Sequence, residues 1–107
     1  RDFTYVDDIV ESILKVLEKP PKKKIPYNIF NIGGNRSYKL KKFVSIIEKN
    51  LSKKAKIIFK SLQIGDVVKT KASSKKLDKY INKNNYISLD IGIKYFINWY
   101  KKFYNER

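Results

Sequence analysis

The sequence predicts an α/β fold, a small and mostly parallel sheet with four helices packed on it. Three observations lead there. Short β-rich tracts, "RDFTYV", "YNIFNIGG" and "AKIIFKSL", alternate with longer stretches whose apolar residues recur every three or four positions. Their order, β-α-β-α-β-α-α, is that of helices layered on a sheet. A length of 107 residues with 42% hydrophobic content suits one domain, residues 1–107, with a modest core.

Taken in order, "RDFTYV" alternates Phe3 and Tyr5 against Thr4 and Val6 and reads as a strand. Asp7 or Asp8 is placed to cap the helix that follows, whose face is Ile9, Val10, Ile13, Leu14 and Leu17. Pro20 and Pro21 stop it, and "KPPKKKIP" is a solvated connector. "YNIFNIGG" is a second strand ending in a Gly-Gly turn. Ser37 is the expected cap of a second helix with Leu40, Phe43, Val44, Ile47 and Leu51 inward. "AKIIFKSL" is the third strand, and "QIGDVVKTKAS" a loop. Ser73 or Ser74 opens a short helix holding Leu77, Tyr80 and Ile81. The turn "NKNNY" uses Asn where a left-handed conformation is needed. Ser88 opens the last helix, with Leu89, Ile93, Phe96, Ile97, Tyr100 and Tyr104 as its apolar stripe. The C-terminal aromatics are expected in the core rather than free for base stacking.

Composition removes several chemistries. With no Cys there is no disulfide, thiolate metal site or Cys nucleophile, and with no His the commonest neutral-pH acid/base is gone. No apolar run approaches the roughly 20 residues that span a bilayer, so no membrane partner is expected. The net charge of +15 is large, but Lys exceeds Arg 22 to 3 and the basic residues are scattered. Specific phosphate readers lean on the Arg fork. A stand-alone nucleic-acid-binding module is therefore the minor alternative.

Few motifs survive scrutiny. Tyr38-x-x-x-Lys42 has the spacing of a catalytic pair, yet eight Tyr and 22 Lys give about 1.6 such matches by chance. It is not assigned a catalytic role. "NIGGNRS" offers a possible anion cradle, but a dinucleotide fingerprint needs a third Gly at set spacing, so a tight turn is the default. In "QIGD", Gly65 permits a sharp turn and the Asp66 carboxylate can accept from two sugar hydroxyls. Arg1 is either half of a surface salt bridge or a guanidinium fork for a diphosphate.

The blocks "RDFTYVDDIVESI", "YNIFNIGGN", "LKKFVSIIEKNLSKKAK", "QIGDVVKTKASSKKL" and "ISLDIGIKYFINWYKKFY", in that order, resemble the C-terminal part of NAD-dependent nucleotide-sugar epimerases and dehydratases. These are extended short-chain dehydrogenase/reductase enzymes, and UDP-glucuronate 4-epimerases look most similar. The likeness runs nearly end to end, and "RDFTYVDDIV" and "GDV-x-x-T" are its most specific parts. It implies that the Gly-rich NAD loop and the catalytic Tyr and Lys lie in a Rossmann region upstream. This chain is then expected to be the nucleotide-sugar-binding lobe of a longer cytoplasmic enzyme, without catalytic residues and without NAD of its own.

The same resemblance implies that Arg1 binds the diphosphate and Asp66 the nucleotide ribose. Gln63, the third substrate-binding candidate, stands where some relatives have Arg and others Gln, so the resemblance does not fix a phosphate contact for it. The loop departs from the usual Gln-Pro-Gly-Asp by carrying Ile64, which gives up the fixed φ of Pro. For the whole enzyme it implies NAD-dependent oxidation and reduction at C4 of a UDP-sugar, and a homodimer formed through the Rossmann region. A 4,6-dehydratase or decarboxylase would share this lobe, since the residues that distinguish them lie elsewhere.

Overall fold

The computed structural model describes residues 1–105, and among them are four helices and no strand. These are α1 (Val6–Leu17), α2 (Leu40–Leu51), α3 (Lys75–Ile81) and α4 (Leu89–Phe103). They pack as two pairs, α2 on α4 and α1 on α3. The expected α/β fold with a parallel sheet is thereby corrected. A strand exists by its ladder to a neighbour, and β propensity measures fit to a pleated, half-buried surface. The tracts "YNIFNIGG" and "AKIIFKSL" find no such neighbour, and residues 52–69 are exposed throughout. The first tract comes nearest. Arg1 and Tyr38 exchange both backbone hydrogen bonds, at 2.7 and 2.8 Å, a single rung that goes no further.

Helix starts follow the sequence in part. Ser74 and Ser88 occupy the N-cap positions of α3 and α4, and the Ser88 hydroxyl accepts from the Ile91 amide at 3.4 Å. Asn82 ends α3 in the left-handed region, φ 52°, as the Asn-rich turn suggested. Neither Asp7 nor Asp8 caps α1, which begins after Tyr5. Both carboxylates lie in its first turn, where they complement the helix dipole, and Asp8 is committed elsewhere. Nor does Ser37 cap α2, which begins after Lys39 with no side-chain cap.

The main core is Ile46 of α2 against Leu89, Ile93 and Ile97 of α4. Phe3, Tyr38, Phe43, Ile47 and Leu51 pack on it, with the Phe3 and Phe43 rings stacked at 4.4 Å. Ile46 was outside the expected inner face, and Leu40 is exposed. The expected aromatic core of α4 is also corrected: Phe96, Trp99, Tyr100, Phe103 and Tyr104 are exposed and lean on one another, as in the Trp99–Phe103 stack at 5.3 Å.

Helix α1 is turned about. Of its expected inner face, Ile9, Val10, Ile13, Leu14 and Leu17, only Ile9 is half-buried; the other four face outward together with Val6, while the buried positions are Asp8 and Ser12. The whole molecule is open as well, with residues 52–69 exposed throughout. Its accessible surface is 9348 Å², whereas a folded monomer of 12.7 kDa exposes about 6,200 Å². Its radius of gyration, 17.4 Å, likewise exceeds the about 13 Å of a compact chain this long.

Candidate functional site

The site begins with a clamp on the first two residues. The Arg1 backbone is held by Tyr38 as described. The Asp2 amide donates to the Thr70 hydroxyl at 2.9 Å, and the Asp2 carboxylate accepts from the Ala72 amide at 2.9 Å. Residues 1–2 are thus pinned between the approach to α2 and the loop before α3. That loop carries Asp66, and the Arg1 guanidinium forms an ion pair with the Asp66 carboxylate.

Asp66 is positioned by a tight turn. Its amide donates to the Gln63 carbonyl at 3.1 Å, and Gly65 sits at φ +85° in the third position. Such a turn requires a positive φ there, which Gly supplies without a steric cost. The Asp66 carboxylate also accepts from the Val67 amide at 2.9 Å. Arg1 and Asp66 are therefore brought together, each partly open to solvent. Gln63 lies in the same turn with its side chain exposed.

Sequence reasoning from the residues alone missed the supports: Asp2, Thr70, Ala72 and Tyr38. One signal did exist, because Thr70 closes the "GDV-x-x-T" block and its hydroxyl is what receives the Asp2 amide. The separation of 68 residues hid the link.

The Gly33–Gly34 turn serves packing. A Cβ on Gly33 would lie 2.4 Å from Cβ of Ala72, and one on Gly34 would lie 3.0 Å from the Asp2 carboxylate. The Gly33 amide donates to the Ser74 hydroxyl and the Gly34 amide to the Thr4 hydroxyl, both at 3.0 Å. With both amides committed and a carboxylate beside them, this turn does not fit the pyrophosphate of a dinucleotide.

A second charged cluster ties α1 to the turn after α3. Lys83, itself buried, pairs with buried Asp8 at 3.0 Å and with Glu11. Asp8 also accepts from the Ile87 amide at 2.8 Å. Burial disfavours the Lys83 charge, but hydrogen bonds to Glu11 and Asp8 and their negative charges outweigh it and hold its pKa above the usual value. Glu11 is pulled down to about 2, first by its hydrogen bond from Lys15 and then by that from Lys83.

The sign of the pH dependence follows. A carboxyl lowered on folding stabilises fully above its unfolded pKa and loses that contribution as pH falls toward its folded value. Urea midpoints are expected to drop from pH 4.5 to pH 2, and Glu11→Gln is expected to flatten that part of the curve. An unchanged slope in the variant refutes the assignment. The Lys83 contribution has the opposite sense, persisting below its unfolded pKa and fading as pH rises past its elevated one.

Among the described residues no helix is long and apolar enough to cross a membrane. No family model matches the sequence. Known proteins do match it. An uncharacterized protein of Methanocaldococcus jannaschii, MJ1055, is 41% identical over 94% of this chain and 29% of its own. UDP-glucuronate 4-epimerase 5 of Arabidopsis thaliana is 36% identical over 97% of this chain and 26% of its own. The crystal structure of UDP-glucuronic acid 4-epimerase from Bacillus cereus, in complex with NAD, superposes with a TM-score of 0.76 at 30% identity. That match covers 97% of this chain and 32% of the solved one. The chain spans about a third of the length of the curated relatives it matches. On this likeness of sequence and shape, the chain belongs to the NAD-dependent epimerase family, corresponding to its C-terminal part.

Proposed function

We propose that this chain is the nucleotide-sugar-binding lobe of a UDP-sugar 4-epimerase whose substrate is UDP-glucuronate. One observation carries the reading: the Arg1–Asp66 pair, a diphosphate-type fork beside a ribose-type acceptor on one open surface. Relatives named for UDP-glucuronate epimerisation supply the substrate class.

The energetics favour exchange with a ligand. A partly exposed pair of this kind contributes only about 0–1 kcal/mol. The guanidinium fork matches phosphate as it matches carboxylate, in bidentate, charge-assisted bonds. A diphosphate therefore takes Arg1 at small cost and leaves the Asp66 oxygens to neighbouring hydroxyls of the ribose. Gln63, in the same turn, adds a neutral amide at the rim. No residue here is assigned the chemistry at C4. The lobe's share is to grip the nucleotide and orient the sugar.

Titrating UDP into the protein and following backbone amide shifts by NMR tests this. Shifts are expected around Arg1, Gln63 and Asp66, and Arg1→Ala is expected to weaken binding by about tenfold or more, the ~1.5–3 kcal/mol of a hydrogen bond to a charged group. Saturating UDP with no shift at these residues would remove the proposal.

A further inference from the structure

Resting on the nucleotide-sugar reading of this site, we propose that Asp66 also sets its selectivity, as a gate on Arg1. Its carboxylate fills the anion slot of the guanidinium when no ligand is present. A nucleoside diphosphate displaces it readily, because ribose hydroxyls take up the released carboxylate, whereas inorganic pyrophosphate displaces it at a loss.

The carboxylate is a tethered competitor. Its Oδ1 accepts from both the Arg1 guanidinium and the Val67 amide. The turn from Gln63 to Asp66 fixes it on one side. Four residues on, the Thr70 hydroxyl holds the Asp2 amide at 2.9 Å, next to Arg1 itself. Displaced by a ligand, Asp66 therefore remains beside the guanidinium, at the high effective concentration of a linked group. A bare anion seated there leaves Oδ1 with the Val67 amide alone and faces a like charge across a short gap. A nucleoside diphosphate makes the same phosphate contact, but its neighbouring hydroxyls donate to the carboxylate. The two ligands thus differ at Asp66 rather than at Arg1, and a polar group left unpaired is what rejects the wrong one.

The local charge gives such a gate a use. Between Glu48 and Asp78 the chain carries nine lysines and one acidic residue, Asp66. Lys69 and Lys71 stand exposed in the same loop. A field of this sign draws polyphosphates of every kind, so charge alone does not tell a nucleotide from pyrophosphate. One carboxylate set against Arg1 opposes the unselective part of that attraction. The opposition is small, up to about fivefold for a pair this open to solvent, which the hydroxyls of a ribose overcome.

The probes are inorganic pyrophosphate and UDP, titrated by calorimetry and amide NMR into the parent, Asp66→Asn, Arg1→Ala and the double variant. Asn keeps the shape of the side chain and an acceptor for the Val67 amide, and the position is partly exposed, so melting should be unchanged. In Asp66→Asn, pyrophosphate is expected to bind roughly two- to fivefold tighter and UDP roughly fivefold weaker. A general loosening of the loop does not produce opposite changes. The pyrophosphate gain should vanish in the Arg1→Ala background. Asp90→Asn, which removes an exposed carboxylate from α4, should give no gain, since the effect is not one of net charge. UDP binding at Arg1 without the pyrophosphate gain in Asp66→Asn overturns the gate and leaves the nucleotide reading standing. So do changes of one sign for both ligands, or a gain that survives Arg1→Ala or is matched by Asp90→Asn. UDP that shifts nothing around Arg1 and Asp66 removes the reading and the gate together.

Discussion

Lys83→Met is expected to lower the free energy of unfolding by about 3–5 kcal/mol, the cost of leaving one member of a buried ion pair unpartnered. For a domain of this size the total is about 5–15 kcal/mol, so the variant should lose a large share of its stability. The reason is geometric. The Asp8 side chain is 5% exposed and that of Lys83 4%, so no water replaces the ammonium. The pair also joins α1 to the turn after α3, and its loss loosens one of the two helix pairs.

The double variant Asp8→Leu/Lys83→Met separates charge from packing. Removing both charges should recover part of the loss, since apolar replacement of a buried pair is often neutral or better. Recovery should be incomplete, because the Ile87 amide loses its acceptor, at about 1–3 kcal/mol. Urea midpoints of the two variants measure both effects. A single variant as stable as the parent would show that the pair is not a lock.

Gly33→Ala is expected to cost about 1–3 kcal/mol, the range for overfilling a packed site. The added methyl would meet Cβ of Ala72 at 2.4 Å and the Asp2 carboxylate at 3.2 Å, so the backbones must part. Ala72 holds the Asp2 carboxylate through its amide, and Asp2 adjoins Arg1. The same variant is therefore expected to weaken UDP binding as well as stability. Ala72→Gly introduced with Gly33→Ala removes the closest contact and should restore part of both. Thermal melting and the UDP titration read the two consequences. Equal affinity in Gly33→Ala would disconnect the turn from the site.

How much of this was legible differs from element to element. Apolar spacing located all four helices, and Ser74, Ser88 and Asn82 marked helix boundaries by their local chemistry. The three β-rich tracts misled, since β-branched and aromatic residues record suitability for a sheet and carry no information on whether an adjacent strand is there. For the site, the residues of "QIGD" gave the turn. The roles expected of Arg1 and Asp66 came from the order of the blocks, as neither residue alone distinguishes a ligand contact from a surface charge. Lys83 was not legible. It stands in a run of Asn as one of 22 lysines, and only its place beneath α1 sets it apart.

By itself the sequence determined where helices form, which of their sides are apolar, which chemistries are absent, and which family the chain resembles. These depend on neighbours within a few positions or on the order of whole blocks. Only the tertiary structure decided that α1 turns its apolar side outward, that Asp8 takes Lys83 as its counter-ion, and that Arg1 meets Asp66 across 65 residues of chain. The physical reason is that periodicity states what a surface would gain by burial, while whether it is buried depends on what stands opposite.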